Sequence, residues 1–209
     1  DITSSDFDLN ELFDVHVQDR LHLHGPPASK QSVSAKIKVI GQKAYQAEEK
    51  RGEEKAPTDL FGGLVNIFGY ESLNDALFLS IEDIVHESNA VERGCVLLLD
   101  TNETELVVAS HYPLFEPAVS ATLARKTMED QCAFIWQAEE SSFSSASIKK
   151  LNIKTGMYAP MAFGAKNLGI ISIDTTSSQA EFTRNDLDLF VNITQVLSSL
   201  IYTKQMEGA

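Results

Sequence analysis

ASIKKLNIKTGMYAPMAFGAKNLGIISIDTTSSQAEFTRNDLDLF, residues 146–190, decides how the rest of the chain is read. Ser147 to Leu151 has helical spacing, and Gly156 follows as a breaker. From Met157 to Phe163 the period is two. Met157, Ala159, Met161 and Phe163 share one face of a predicted strand, and Tyr158, Pro160 and Ala162 the other. Pro160 has no N–H to donate, so the ladder is expected to be edge-like or irregular there. Gly164-Ala165-Lys166-Asn167 fits a short hairpin loop. Leu168 to Asp174 returns as a second strand, with Ile171 and Ile173 on one face and Ile170 and Ser172 on the other. Thr183 is the predicted N-cap of a last helix, with Asp186 three residues on as its capping-box partner.

Upstream, Ser72 and Asp75 open another helix in the same way, ending near Asn89, with Leu73, Leu77, Ile81, Ile84 and Val85 on one face. Gly94 to Asp100 is a continuous apolar run, the pattern of a strand covered on both faces. It is expected at the centre of the sheet. Glu105 to His111 returns beside it. Val119 to Asp130 forms a third helix with Ser120 as cap, and Cys132 to Trp136 is the next strand. Residues 1–57 have a different texture. Val15, Val17, Leu21 and Leu23 suit a strand interrupted at Gln18-Asp19-Arg20, Ser34 to Ile40 alternates as a second, and Gln42 to Ala56 reads as a charged helix or linker. In DLFGGLVNIFG, residues 59–69, helical spacing is weakened by Gly62-Gly63. The expected division is an N-terminal extension, or remnant of a neighbouring domain with its linker, at 1–57, and one domain at 58–209. The start at Asp1 rather than Met suits a fragment or processed product.

These residues resemble a GAF domain. The family pattern has a serine-containing short helix, a strand ending in a Pro-hydrophobic pair, a glycine-led strand ending in Asp or Asn, and a Phe-Thr-x-x-Asp-Leu helix start. Here Ser147, Pro160-Met161, Gly169 to Asp174, and Phe182-Thr183 with Asp186-Leu187 match it. AVERGCVLLLD followed by ELVVASH looks like the GAF domains that follow forkhead-associated domains in bacterial signalling proteins. The resemblance covers about Glu71 to Tyr202. It implies an α+β fold, an antiparallel sheet flanked by helices, with the N-terminal β/linker extension added. It also implies a non-enzymatic sensory role: small-molecule sensing and relay to an attached output domain. By family position the segment from Gln137 to Leu151 roofs a cavity, and Trp136, Phe143, Ile148, Tyr158 and Met161 are the expected ligand contacts. Neither ligand nor cofactor is identified by this set.

Other chemistry finds little support. A formal charge of -13 with scattered basic residues repels nucleic acid and anionic membranes. No apolar run reaches membrane-spanning length and no signal pattern is present, so a cytoplasmic location is expected. Histidines 16, 22, 24, 86 and 111 show no metal spacing, and His22-x-His24 is read as exposed strand. No serine has a nucleophile elbow and no glycine loop suits a phosphate. GAF proteins that reduce free methionine sulfoxide place several cysteines around the cavity; only Cys132 is read as facing it, and Cys95 as inert core. Neither cysteine fits bilin attachment. Cyclic-nucleotide-binding members carry Asn-Lys where this chain has Asp174-Thr175, and Glu where it has Leu187, so weak or no binding of cyclic nucleotides is expected.

The last helix has two apolar stripes: Leu187, Phe190, Val191, Leu197 and Ile201, then Ile193, Val196 and Leu200. One stripe covers a sheet, so the second is expected to join a homodimer through the terminal helices, as GAF domains commonly do. A ligand-free dimerisation module is the alternative role, and a thiol-based sulfoxide reductase the remote one.

Overall fold

The computed structural model describes residues 72–88, 90–113, 119–138 and 153–207, with residues 121 and 122 as backbone. Nearer the start it gives the backbone of β1 (Asp6–Asp8), β2 (Arg20–His22) and β3 (Ser34–Ala44). There follow α1 (Leu73–Glu87), β4 (Arg93–Leu99), β5 (Glu105–Tyr112), α2 (Ala121–Asp130), β6 (Cys132–Ala138), β7 (Thr155–Phe163), β8 (Lys166–Thr175) and α3 (Arg184–Glu207). The strands form one sheet in the order β1-β3-β6-β7-β8-β4-β5-β2, with antiparallel neighbours throughout. Parts of the first 57 residues therefore lie in the same sheet as the rest. The strand expected at Ser34 to Ile40 continues to Ala44, and β2 includes Arg20, which was read as part of an interruption. The division at 57/58, the charged segment beyond Ala44 and the 59–69 helix lie outside the described residues.

The helix caps follow from local chemistry. Orphan N–H groups in the first turn need an acceptor, and short hydroxyl side chains supply it. Ser72 Oγ accepts from Asp75 N at 3.4 Å, and Ser120 Oγ from Leu123 N at 3.1 Å. At α3 the exchange is reciprocal: Thr183 N donates to Asp186 Oδ2 at 2.6 Å, and Asp186 N donates to Thr183 Oγ1 at 3.3 Å. Pro160 sits where β6 has stopped pairing with β7, so its missing donor leaves no gap in that ladder.

Two expectations need correction. The Gly94–Asp100 segment is an interior strand, β4, between β8 and β5; β8 is the middle of the five strands β6-β7-β8-β4-β5. An apolar run reports cover on both faces, which β4 has over its first half, where Gly94 to Leu97 are buried. The two stripes of α3 are also not separate. Ile193 and Leu200 are buried in the same cluster as Leu187, Phe190, Val191, Leu197 and Ile201, and only Val196 is half-buried. α3 packs mainly on β7, with β3, β6, β8 and α1 around it, so its neighbours bury residues of both stripes.

Each sheet face thus has its own core. Met157, Ala159, Met161, Ile171 and Ile173 face α1 and α3. Phe134, Trp136, Tyr158, Ile170 and Leu97 face α2. Among the described residues no helix is long and apolar enough to cross a membrane.

Candidate functional site

Strand register assembles a row of side chains on the α2 face. Residues directly opposite in an antiparallel pair point the same way. Trp136 pairs with Gly156, Gly156 with Asp174, and Asp174 with Arg93, so β6, β7, β8 and β4 each contribute one position. The neighbouring row is Phe134, Tyr158, Ser172, Cys95 and His111. Phe134 and Tyr158 stack with centroids 5.9 Å apart, and the Tyr158 hydroxyl accepts from Ser120 N, at the cap of α2, at 3.0 Å.

Gly156 makes the first row possible. A Cβ there would lie 2.8 Å from Trp136 Nε1 and 2.5 Å from the Ile173 carbonyl oxygen, so only glycine leaves the indole its place. Trp136 is 3% exposed and its Nε1 has no hydrogen-bond partner. A buried donor left unpaired costs about 1–3 kcal/mol and calls for an explanation.

At the far end of the row Arg93 Nε donates to Asp174 Oδ1 at 2.7 Å. Arg93 Nη2 makes an ion-pair contact of 2.5 Å with the same oxygen but lacks hydrogen-bond geometry. Burial pushes the Asp174 carboxyl up to about 6, against the pull of Arg93 and with a further push from Glu92. The site therefore combines aromatic walls, an unpaired donor and an ion pair whose charge changes near pH 6.

Of the residues expected to touch a ligand, Trp136 and Tyr158 share this face, while Met161 belongs to the opposite core against α1 and α3. Phe143 and Ile148 lie outside the described residues, as do the short helix and most of the expected roof; Gln137 belongs to β6. Arg93, Gly156 and Asp174 were not singled out as site residues. Cys95 and Cys132 are free thiols. Burial, then the nearby Asp174, pushes the Cys95 thiol well above the usual range, and Cys132 Sγ donates to the Asp130 carbonyl at 3.2 Å. Among the described residues no group of His, Cys, Asp and Glu suits a metal ion.

No protein-family model matches the chain. No curated protein matches it either. Solved structures do. The GAF domain of a phosphoenolpyruvate-protein phosphotransferase from Coxiella burnetii is similar with a TM-score of 0.59 and 16% identity, over 71% of this chain and 94% of that one. The GAF domain of a two-component sensor histidine kinase from Bacillus halodurans gives 0.54 and 19%, over 67% and 100%. The phycocyanobilin-bound GAF domain of a cyanobacterial phytochrome gives 0.52 and 10%, over 71% and 94%. At these identities the likeness is one of architecture, and it agrees with the sheet and helices described above: the chain has a GAF-like α+β fold.

Proposed function

We propose that this chain is a non-enzymatic signalling module that takes a small molecule on its α2 face and relays occupancy to an attached output domain. The observation that carries this reading is the Trp136–Gly156–Asp174–Arg93 row, with a buried, unpartnered indole donor beside aromatic walls. Trp136 and Tyr158 are the described residues assigned to the ligand; Phe143 and Ile148, expected with them from the family resemblance, lie outside the described residues. Domains of this fold in a sensor histidine kinase and a bilin-bound phytochrome support a sensory role. The sequence likeness to GAF domains that follow forkhead-associated domains supports a bacterial, cytoplasmic setting. A charge of -13 argues against nucleic acid as a partner.

Two other chemistries find less support. Cys95 is buried and burial pushes its thiol well above the usual range, which supports reading it as inert core. Thr175 stands where cyclic-nucleotide-binding members carry Lys, so the Lys-to-Asp pairing typical of them lacks its cation opposite Asp186. Native mass spectrometry of gently purified protein tests the proposal. A co-purified small molecule, lost in a Trp136→Ala variant that still folds, is the expected result; a bare chain in every preparation counts against sensing.

The second reading is a ligand-free dimerisation module, and one observation favours pairing. Phe163, 43% exposed, stacks on Tyr202 at 4.4 Å, and Met206, 59% exposed, lies one turn further along α3. Among the described residues this patch holds the exposed large apolar side chains, so it is favoured over the buried Ile193/Leu200 flank as the surface for a second copy. Light scattering is expected to give a dimer mass that falls to that of a monomer in Phe163→Glu. An unchanged mass would move the interface elsewhere.

A further inference from the structure

A cavity of about 350 Å³ opens on the helical face, opposite the row of Trp136. Met157 and Ile173 of the sheet line it, together with Ile84 of α1, Phe190 and Ile193 of α3, and Phe182 just before α3. This volume lies within the range of small-molecule sites, and the lining is mostly apolar, which favours an apolar body.

The charged groups that line the cavity share one sign. Glu87 and Glu181 are exposed and Asp186 is half-exposed, and among the described lining residues there is no Lys, Arg or His. Asp186 uses Oδ2 for the Thr183 cap and remains a carboxylate acceptor. Glu87 and Ser88 stand at the end of α1, so the carbonyl end of that helix adds a partial negative charge at the same mouth. At the opposite wall the positive end of α3 is already answered by Asp186. An anion would meet repulsion from three sides. A cation would meet attraction from the same three sides.

We propose that this cavity is a second binding site, for a small arylalkylammonium: an apolar ring seated among Ile84, Ile173 and Ile193, with its ammonium at the Glu87, Glu181 and Asp186 mouth. It bridges the end of α1 and the start of α3. It lies on the other side of the sheet from the site assigned to the sensed ligand, so each proposal can fail without the other.

The test uses the full chain and phenethylammonium chloride, with 2-phenylethanol and 3-phenylpropionate as neutral and anionic counterparts. Calorimetry and methyl NMR of Ile84, Ile173 and Ile193 read the binding. The amine is expected to saturate and to bind about tenfold more tightly than the alcohol, the scale of one charge-assisted hydrogen bond. The carboxylate should not bind. Glu87→Gln with Glu181→Gln alters two exposed side chains, so the fold should survive; it should weaken the amine about tenfold and leave the alcohol unchanged. Equal binding of amine and alcohol overturns the proposal, as does an amine affinity that ignores the double substitution. Shifts confined to the α2 face, or a dimer mass with no response of these methyls to the amine, also overturn it.

Discussion

Gly169→Ala is expected to destabilise the domain by about 3–5 kcal/mol, the combined scale of backbone strain and overpacking. Gly169 has φ +152, a backbone that side chains rarely adopt, and it faces Leu98 across the β8–β4 ladder. A Cβ there would lie 2.0 Å from the Leu97 carbonyl oxygen and 2.8 Å from Leu98 Cα. Both are main-chain atoms of the adjacent strand. They retreat only if β4 parts from β8, and β8 is the middle of the five-strand core, so the damage is not local. Gly164→Ala is the control. Gly164 also has a positive φ, +58, but a Cβ there meets nothing within 4 Å. Its cost should stay near the 1 kcal/mol of strain alone. Urea unfolding of the two variants measures the difference, and equal losses would sink the argument from crowding.

The same strand shows where sequence reading works and where it stops. Alternation separated Met157 from Tyr158 in MYAPMAF and Ile173 from Ile170 in LGIISID, as the two cores have them; which faces coincide came only from strand register. Alternation also set Met161 opposite Tyr158. Family position grouped both as ligand contacts, whereas the parity puts them on opposite faces, and the two cores have them so. The caps at Ser72, Ser120 and Thr183 were legible because each needs only three or four consecutive residues. Sheet order was not. The apolar run of β4 looked central because apolarity reports cover, whereas β8, which carries buried Ser172 and Asp174, lies in the middle. A helix likewise does not record how much of its circumference its neighbours cover, so Ile193 and Leu200 looked like a free stripe. The Arg93–Asp174 pair spans 81 residues of chain, and only strand register brings it together. Its one local signal was a charged residue at the end of each apolar strand.

That pair carries the other large effect. Arg93→Met is expected to cost about 3 kcal/mol at pH 8, the lower end of the loss when a buried ion pair is broken from one side. Below about pH 4.5 the cost should fall under about 1 kcal/mol, the scale left for a hydrogen bond to a neutral acid. The sign follows from Asp174. Burial raises its carboxyl from 3.8 to about 6 in the folded chain, so between these values the folded state binds the proton more tightly than the unfolded state. The contribution of Asp174 to stability is therefore full below about 4 and falls as pH rises, levelling only above about 6. Arg93 is the group that limits this loss. Without it the folded carboxyl titrates higher still, and the loss continues toward neutral pH. Glu92 moves in the same direction. Its burial is at present outweighed by the bonds from Thr176 and the attraction of Arg93, and the latter goes with the substitution. Methionine keeps much of the side-chain length and brings no charge, so at low pH, with Asp174 protonated, little but one hydrogen bond is missing. Denaturant unfolding of both proteins from pH 4.5 to 8 measures the difference directly. A cost independent of pH would mean that Arg93 acts by packing rather than by holding Asp174 ionised. A rising cost would establish that the charged end of the Trp136 row exists at neutral pH because a guanidinium stands beside it.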